Sequence, residues 1–428
     1  MKVFFCALIS ATLFAAEKVS AQDTLRQEWT VNPFSRNEQQ QEIILGGTRT
    51  LSFETYAGFS SNAVNAKFTA AMIRGKFIDD SLKARVRRNL WNQNGFGSET
   101  GFELSYSFPS KHKTFVSHLS YADRTLTRAW FSRDVFTLGF YGNSVLANEN
   151  AKLAPSSFES MAFRQIGYGI QTHEKIADVK ITTAIRINLL QGISDATARM
   201  KQGSLFTAID GQYIDLNYQF DLQLNDTIAE NVFYQTNFGA SSDVAFCFAL
   251  PTGWKIYLQA LDLGMIRWKK ESLHYAGDTS IHFEGIHVDD LLNITASSFG
   301  SANQDSVISW VGIKRSSEAY YSTLPYRFSL SLFSRSWKKI ILSASTTWQP
   351  MVDIIPQTCL AALFSMKSNW SFSVRGGISN FLQPQWGVGF VYEMHELKFF
   401  GSLLSPDAFL VPSLTRSLNG SAGILWSF

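Results

Sequence analysis

The sequence is short of cysteine, of charge and of long unbroken apolar runs. Three cysteines, Cys6, Cys247 and Cys359, in 428 residues cannot build a disulfide framework. Cys6 follows bulky Phe5 within an early apolar run, which argues against a lipid-attachment cysteine. Charged residues make up 17% of the chain, against about 25% in a typical soluble protein. A net charge of +3 gives no basis for binding nucleic acid. Beyond the N-terminus, no segment approaches the ~18 uncharged apolar residues of a membrane helix.

Aromatic residues, by contrast, reach 14%, with 35 Phe and 11 Trp. Mean hydropathy stays near zero. Few charges, many aromatics and no helical span together point to strands that alternate between lipid and a polar interior. The N-terminus fits export. Lys2, an apolar run from Val3 to Ala16, and Val19-Ser20-Ala21 before Gln22 have the layout of a secretory leader, expected to span 1–21.

The expected strands are explicit. From Tyr213 to Leu224, Ile214, Leu216, Tyr218, Phe220 and Leu222 alternate with Asp215, Asn217, Gln219, Asp221 and Gln223. Period two puts the two sets on opposite faces. The run also exceeds the usual five or six residues of a globular strand and suits the ~9–11 tilted residues that cross a bilayer. The pattern recurs at Val179–Leu189, where Lys180 and Arg186 fall on the polar face, and at Trp370–Ser379, with Ser373 and Arg375. Short polar turns such as Met394-His395-Glu396 and Arg335-Ser336-Trp337-Lys338 make neighbouring strands antiparallel. Open sheet edges are prohibitive in lipid, so the expectation is a closed antiparallel transmembrane β-barrel over 48–428, with about 14 strands, two either way.

Two stretches do not alternate. Residues 22–47, with Asn32-Pro33-Phe34, read as an extension that could lie in the periplasm or fold into the lumen as a plug. Asp80–Trp91 places Leu82, Val86 and Leu90 at helical spacing among Lys83, Arg85, Arg87 and Arg88, which predicts a short basic helix with a solvated face. At the other end, Leu418, Gly420, Ala422, Ile424, Trp426 and Phe428 share one strand face. Ile424, Trp426 and Phe428 resemble the terminal signal read by the barrel assembly machinery, and an aromatic there suits the interfacial girdle.

The stretch Asp262-Leu263-Gly264-Met265-Ile266-Arg267-Trp268, followed by Gly277 and Phe283-Glu284-Gly285, resembles an uncharacterised outer-membrane barrel family of Bacteroidota. Leu138-Gly139-Phe140-Tyr141-Gly142-Asn143 before a loop and Leu189-Leu190-Gln191-Gly192 at an expected strand end agree with it. That family is similar in turn to PorP/SprF-like barrels of type IX secretion and gliding, and more distantly to FadL-like hydrocarbon transporters. The resemblance implies outer-membrane lipid, the assembly machinery and periplasmic secretion or motility components as partners. It brings no catalytic residues and no cofactor.

An enzyme reading rests on His118 and Ser120, two apart on one strand face. Phe115, Leu119 and Tyr121 form the apolar face of that strand, so the pair is expected to point into the lumen as ordinary polar lining. His282 and His287, five apart around Glu284, have neither strand-face nor helical metal spacing. The candidate lumen residues are Lys180, Arg186, Asp215, Asn217, Gln219, Asp221, Ser373 and Arg375. They either tune a pore or form a satisfied network filling a closed barrel. Two functions remain: a non-enzymatic docking barrel of the envelope, expected to have a filled lumen, and a FadL-like transporter, expected to have an apolar lumenal pocket and a kinked wall.

Overall fold

A computed structural model describes residues 29–30, 33–35, 44–45, 49–111, 114–226, 237–269, 271–284, 312–337, 339–349, 353–366 and 369–428. The expected leader at 1–21, with Cys6, lies outside them, as do most of 22–47, Gly285, His287 and Lys338. No described helix is long and apolar enough to cross a membrane.

The first strands are β1 (Thr50–Ser61), β2 (Gln93–Pro109), β3 (Phe115–Ser132), β4 (Ser156–Ile176) and β5 (Val179–Thr207). After β6 (Ile214–Asp226) come β7 (Phe238–Ala249), β8 (Lys255–Arg267) and β9 (Leu273–Phe283). The last are β10 (Arg327–Phe333), β11 (Ile340–Trp348), β12 (Gln357–Ser365), β13 (Trp370–Ile378), β14 (Pro384–Met394), β15 (Leu397–Leu404) and β16 (Ser417–Ser427). All but β6 and β9 close into a ring of 14 antiparallel strands, sealed where β16 pairs with β1 from Ser417↔Ser60 to Ser427↔Thr50. The expected fold and strand count agree with this ring.

Alternation sets the faces. Leu51 and Phe53 of β1 point outward and are exposed, while Ser52 and Glu54 point inward and are buried. Trp370, Phe372, Val374, Trp386, Val388, Phe390, Ile424, Trp426 and Phe428 carry the outward apolar surface round to the seam. At one end the strands meet in short turns. The two-residue connections Ala177–Asp178 and His395–Glu396 each place their first residue at a positive φ of 53°. At the other end the connections are long. They carry α1 (Ala66–Ile73), α2 (Asp80–Asn89), α3 (Arg133–Tyr141) and the single turn α4 (Asp407–Leu410).

The expected basic helix is α2. The Asp79 carboxylate caps it by accepting from the Leu82 N–H at 2.8 Å, which satisfies a donor the first helical turn leaves free. Hydrogen bonds to Ser81 and to the backbone at Leu82 lower the pKa of that carboxyl. Leu82, Val86 and Leu90 bury against Phe68 of α1 and Phe136 of α3, leaving Arg87 and Arg88 in solvent.

One strand departs from the expected length. Val179–Leu189 is only the first part of β5, which runs on for 29 residues without ending at Leu189–Gly192. At ~3.3 Å per residue it spans about 95 Å, well beyond a ~30 Å hydrocarbon core even when tilted by 45°. Its neighbour changes along the way: residues 180–191 pair with β7 and residues 194–207 with β6. The pair β6–β9 therefore extends the sheet above the closed ring, on the long-loop side.

Candidate functional site

The strongest concentration of polar groups lies inside the ring, in its short-turn half. A β-bulge creates it. The register between β7 and β8 shifts between Ser242 and Val244, and Asp262 takes a φ of 63°. Bulges re-aim side chains, and here two buried carboxylates, Asp243 and Asp262, come to lie together, with the Asp262 N–H donating to Asp243 Oδ1 at 2.7 Å. Each carboxylate meets an arginine, Asp243 the one opposite it on the adjacent β5 and Asp262 one from the more distant β3. Arg124 of β3 donates to both Asp262 oxygens at 2.6 and 3.1 Å, and more weakly to Glu99 at 3.3 Å. Arg186 of β5 donates to Asp243 at 2.7 Å, Glu103 at 2.8 Å and Ser120 at 3.2 Å. Asn188 adds a donor to Asp243 at 2.8 Å, and Arg327 of β10 reaches the second oxygen of Glu99 at 3.0 Å. Paired, bidentate geometry of this sort is what makes buried charge tolerable.

The N-terminal segment fills the space beside this network. Phe34, 1% exposed, lies under the Arg186 guanidinium at 4.7 Å and edge-on to His118 at 6.0 Å. The Gln259 side-chain amide donates to the carbonyls of Pro33 at 2.8 Å and Ser35 at 3.3 Å, and the Ser35 hydroxyl donates to Glu54 at 3.2 Å. Glycines of β4 leave the room. A Cβ at Gly169 would approach Phe34 to 3.0 Å, and one at Gly167 would come within 2.4 Å of Asn188 Oδ1 and 2.6 Å of Ser120 Oγ. Pro33–Ser35 thus pack against inward-facing groups of the wall.

The long-loop half is less filled. A cavity of about 340 Å³ lies among β1, β2, β3, β5 and β10 and reaches up to Gln223 of β6 above the ring, and one of about 200 Å³ lies towards β11, β12 and β16. Glu99, Arg327, Gln349, Gln357, Asn380 and Asn419 line both. In the loop beside them, burial pushes the Asp353 carboxyl up from its ordinary value, against hydrogen bonds from Asn380 and the Gln349 backbone.

Of the expected lumen residues, Arg186 is central to the network, Ser373 is buried on the inward face of β13, and Arg375 lines the smaller cavity. Lys180 is exposed at the turn end of β5. Asp215, Asn217, Gln219 and Asp221 need correction. They sit on β6, which pairs with the part of β5 above the ring, so they line no part of the closed barrel. Their partners are on β9: His282 for Asp215, Ser280 for Asn217, Asp278 for Gln219 and His274 for Asp221. His118 and Ser120 do point inward; His118 bonds Ser107 at 2.8 Å and Gln171 at 3.2 Å, and Ser120 bonds Arg186. Cys247 and Cys359 are buried on different strands and form no disulfide. Sequence reasoning missed Arg124, Asp243, Glu99 and Glu103 as lumenal residues. The one available signal was the Asp262-Leu263-Gly264 stretch, which marks the bulge.

A family profile described as DUF5723, a family of unknown function, matches residues 50–403. The chain belongs to DUF5723. The matched span covers the ring from β1 to near the end of β15, with the bulge and its arginines inside it. No match is found among curated proteins. Solved structures similar to this DUF5723 chain include the toluene transporter TbuX of Ralstonia pickettii, at 8% identity and a TM-score of 0.44, with 90% of each chain covered. The P. putida toluene transporter TodX is similar at 7% identity and a TM-score of 0.41, with 89% of this chain and 90% of that one covered. The transport unit of the autotransporter AIDA-I from Escherichia coli is similar at 9% identity and 0.27, with 98% and 97% covered.

Proposed function

We propose that this DUF5723 chain is a non-enzymatic outer-membrane barrel, closed by its own N-terminal segment, that serves as an envelope component on which secretion or motility proteins dock. The observation that carries the reading is the short-turn half of the lumen, which Pro33–Ser35 and the Arg124/Arg186 network occupy among the described residues. The outward aromatic and aliphatic surface supports a lipid setting, and the short turns at the terminus end suit the periplasmic side of such barrels. Ser120 and His118 are engaged with separate partners, which supports a non-catalytic role.

A transporter of small hydrophobic compounds is the second reading, and one observation favours it. The regular pairing breaks where Leu324–Tyr326 faces Asp262–Gly264, joined there by the Leu324 N–H donating to the Gly264 carbonyl at 3.0 Å, near an outward apolar groove of about 460 Å³ lined by Leu258, Phe328, Leu330 and Trp348. The inner cavities weigh against it, since amides, hydroxyls and ion pairs line them where a hydrophobic cargo needs apolar walls. Single-channel conductance and hydrocarbon uptake of the refolded barrel decide between the two. The docking reading expects neither, and robust, substrate-selective passage overturns it.

A further inference from the structure

The larger lumenal cavity has a chemistry that the closed-barrel reading does not use. At about 340 Å³ it falls in the range of small-molecule sites, about 300–1,000 Å³. Three arginines and three carboxylates line it, and all are engaged within the protein. Arg327 pairs with Glu99 at 3.0 Å, Arg199 with Glu159 at 3.1 Å, and Arg128 with the other Glu159 oxygen. Asp195 accepts from the Tyr320 hydroxyl at 2.8 Å and from Ser322 at 3.1 Å. No unbalanced charge is therefore presented to an ion, and the polar lining is too dense for an apolar guest.

What remains on offer is neutral. Gln223, Gln357 and Asn419 line the cavity, and none of these side-chain amides bonds another protein group among the described residues. Asn419 is given its place by Gly58 opposite it on β1, where a Cβ would fall 1.9 Å from the amide oxygen. A primary amide donates and accepts side by side, which matches adjacent hydroxyls, each itself donor and acceptor. The exposed ring of Tyr321 adds an apolar plate at the same wall.

We propose that this cavity binds a neutral, hydroxyl-rich ligand, a saccharide, through Gln223, Gln357 and Asn419. The site needs only the barrel and its cavity, so it stands whether or not the chain docks envelope partners. The test is isothermal titration calorimetry on the full chain refolded in a zwitterionic detergent, which avoids sugar head groups. Maltose, cellobiose and N-acetylglucosamine, small enough for the cavity, are the saccharide probes, with citrate and toluene as charged and apolar comparisons.

At least one of these saccharides should bind, and Gln357→Ala with Asn419→Ala should weaken it about tenfold or more, as loss of two hydrogen bonds implies. Gln357→Glu keeps the size while adding an unpaired charge and should weaken binding similarly. Heat-modifiable gel mobility reports whether each variant still folds. Failure of all three saccharides to bind overturns the proposal. So does binding of citrate or toluene instead, or saccharide binding that is unchanged in the folded variants.

Discussion

Replacing Phe34 by Ala should loosen the N-terminal segment without loosening the barrel wall. Phe34 is almost wholly buried and lies against Arg186. Full burial of a Phe side chain is worth about 1.5–3 kcal/mol, and a desolvated cation–π contact about 0.5–2 kcal/mol. Together they favour the seated segment by about 2–5 kcal/mol, which is at least about 30-fold in the seated-to-released ratio. The ring's hydrogen-bond ladders include no residue of the segment, so heat-modifiable mobility should be unchanged. The readout is a cysteine at Ser35, itself buried, in a background where Cys247 and Cys359 are replaced by Ala. If labelling by a water-soluble maleimide proceeds through the released state, its rate follows that state's population. Adding Phe34→Ala should then raise the rate by the same factor of about 30 or more. Equal rates with and without Phe34 would refute the plug energetics argued above.

Arg186→Met should destabilise the refolded barrel by about 3–5 kcal/mol in urea titration, because it strands Asp243 and Glu103 in the lumen; adding Asp243→Asn should recover part of the loss. Gly167→Val drives a side chain into Asn188 and Ser120 and should cost about 1–3 kcal/mol by the same titration, whereas open space around Gly376 should make Gly376→Ala much milder. In the β6–β9 extension, hydrogen bonds to Asp215 and then Glu284 raise the pKa of His282 above its ordinary 6.5. That support is complete below the unfolded value and lost as pH climbs through the raised folded one. Amide-exchange protection of β6 and β9 should accordingly fall as pH rises from below 6.5 through the raised folded value, and His282→Gln should flatten the trend; a pH-independent difference would remove the histidine from the account.

The barrel was legible because its defining signal is local. Period-two alternation in Trp370–Ile378 or at Ile424, Trp426 and Phe428 needs no partner strand to be read, and closure follows from lipid physics. Height along the barrel is not local. Asp215–Asp221 alternates as regularly above the ring as Ser373–Arg375 does within it, and only the change of β5's neighbour from β7 to β6 separates the two. The charge network was hidden for the same reason. Arg124 and Asp262 are 138 residues apart, and nothing near either names the other. Asn32-Pro33-Phe34 stands out in a stretch that does not alternate, but the destination of Phe34 depends on Gly169 and Gln259, remote residues that nothing near it names.

The seat of Phe34 has a consequence for how the molecule holds together. The contacts of Pro33–Ser35 include Glu54 of β1, His118 of β3, Gly169 of β4, Ala184 and Arg186 of β5, Ala245 of β7, and Gln259 and Leu261 of β8. Three residues thus touch six strands of the wall. A segment that merely occupies a lumen is a stopper. One that ties six strands together is also a brace, holding them at a shared curvature.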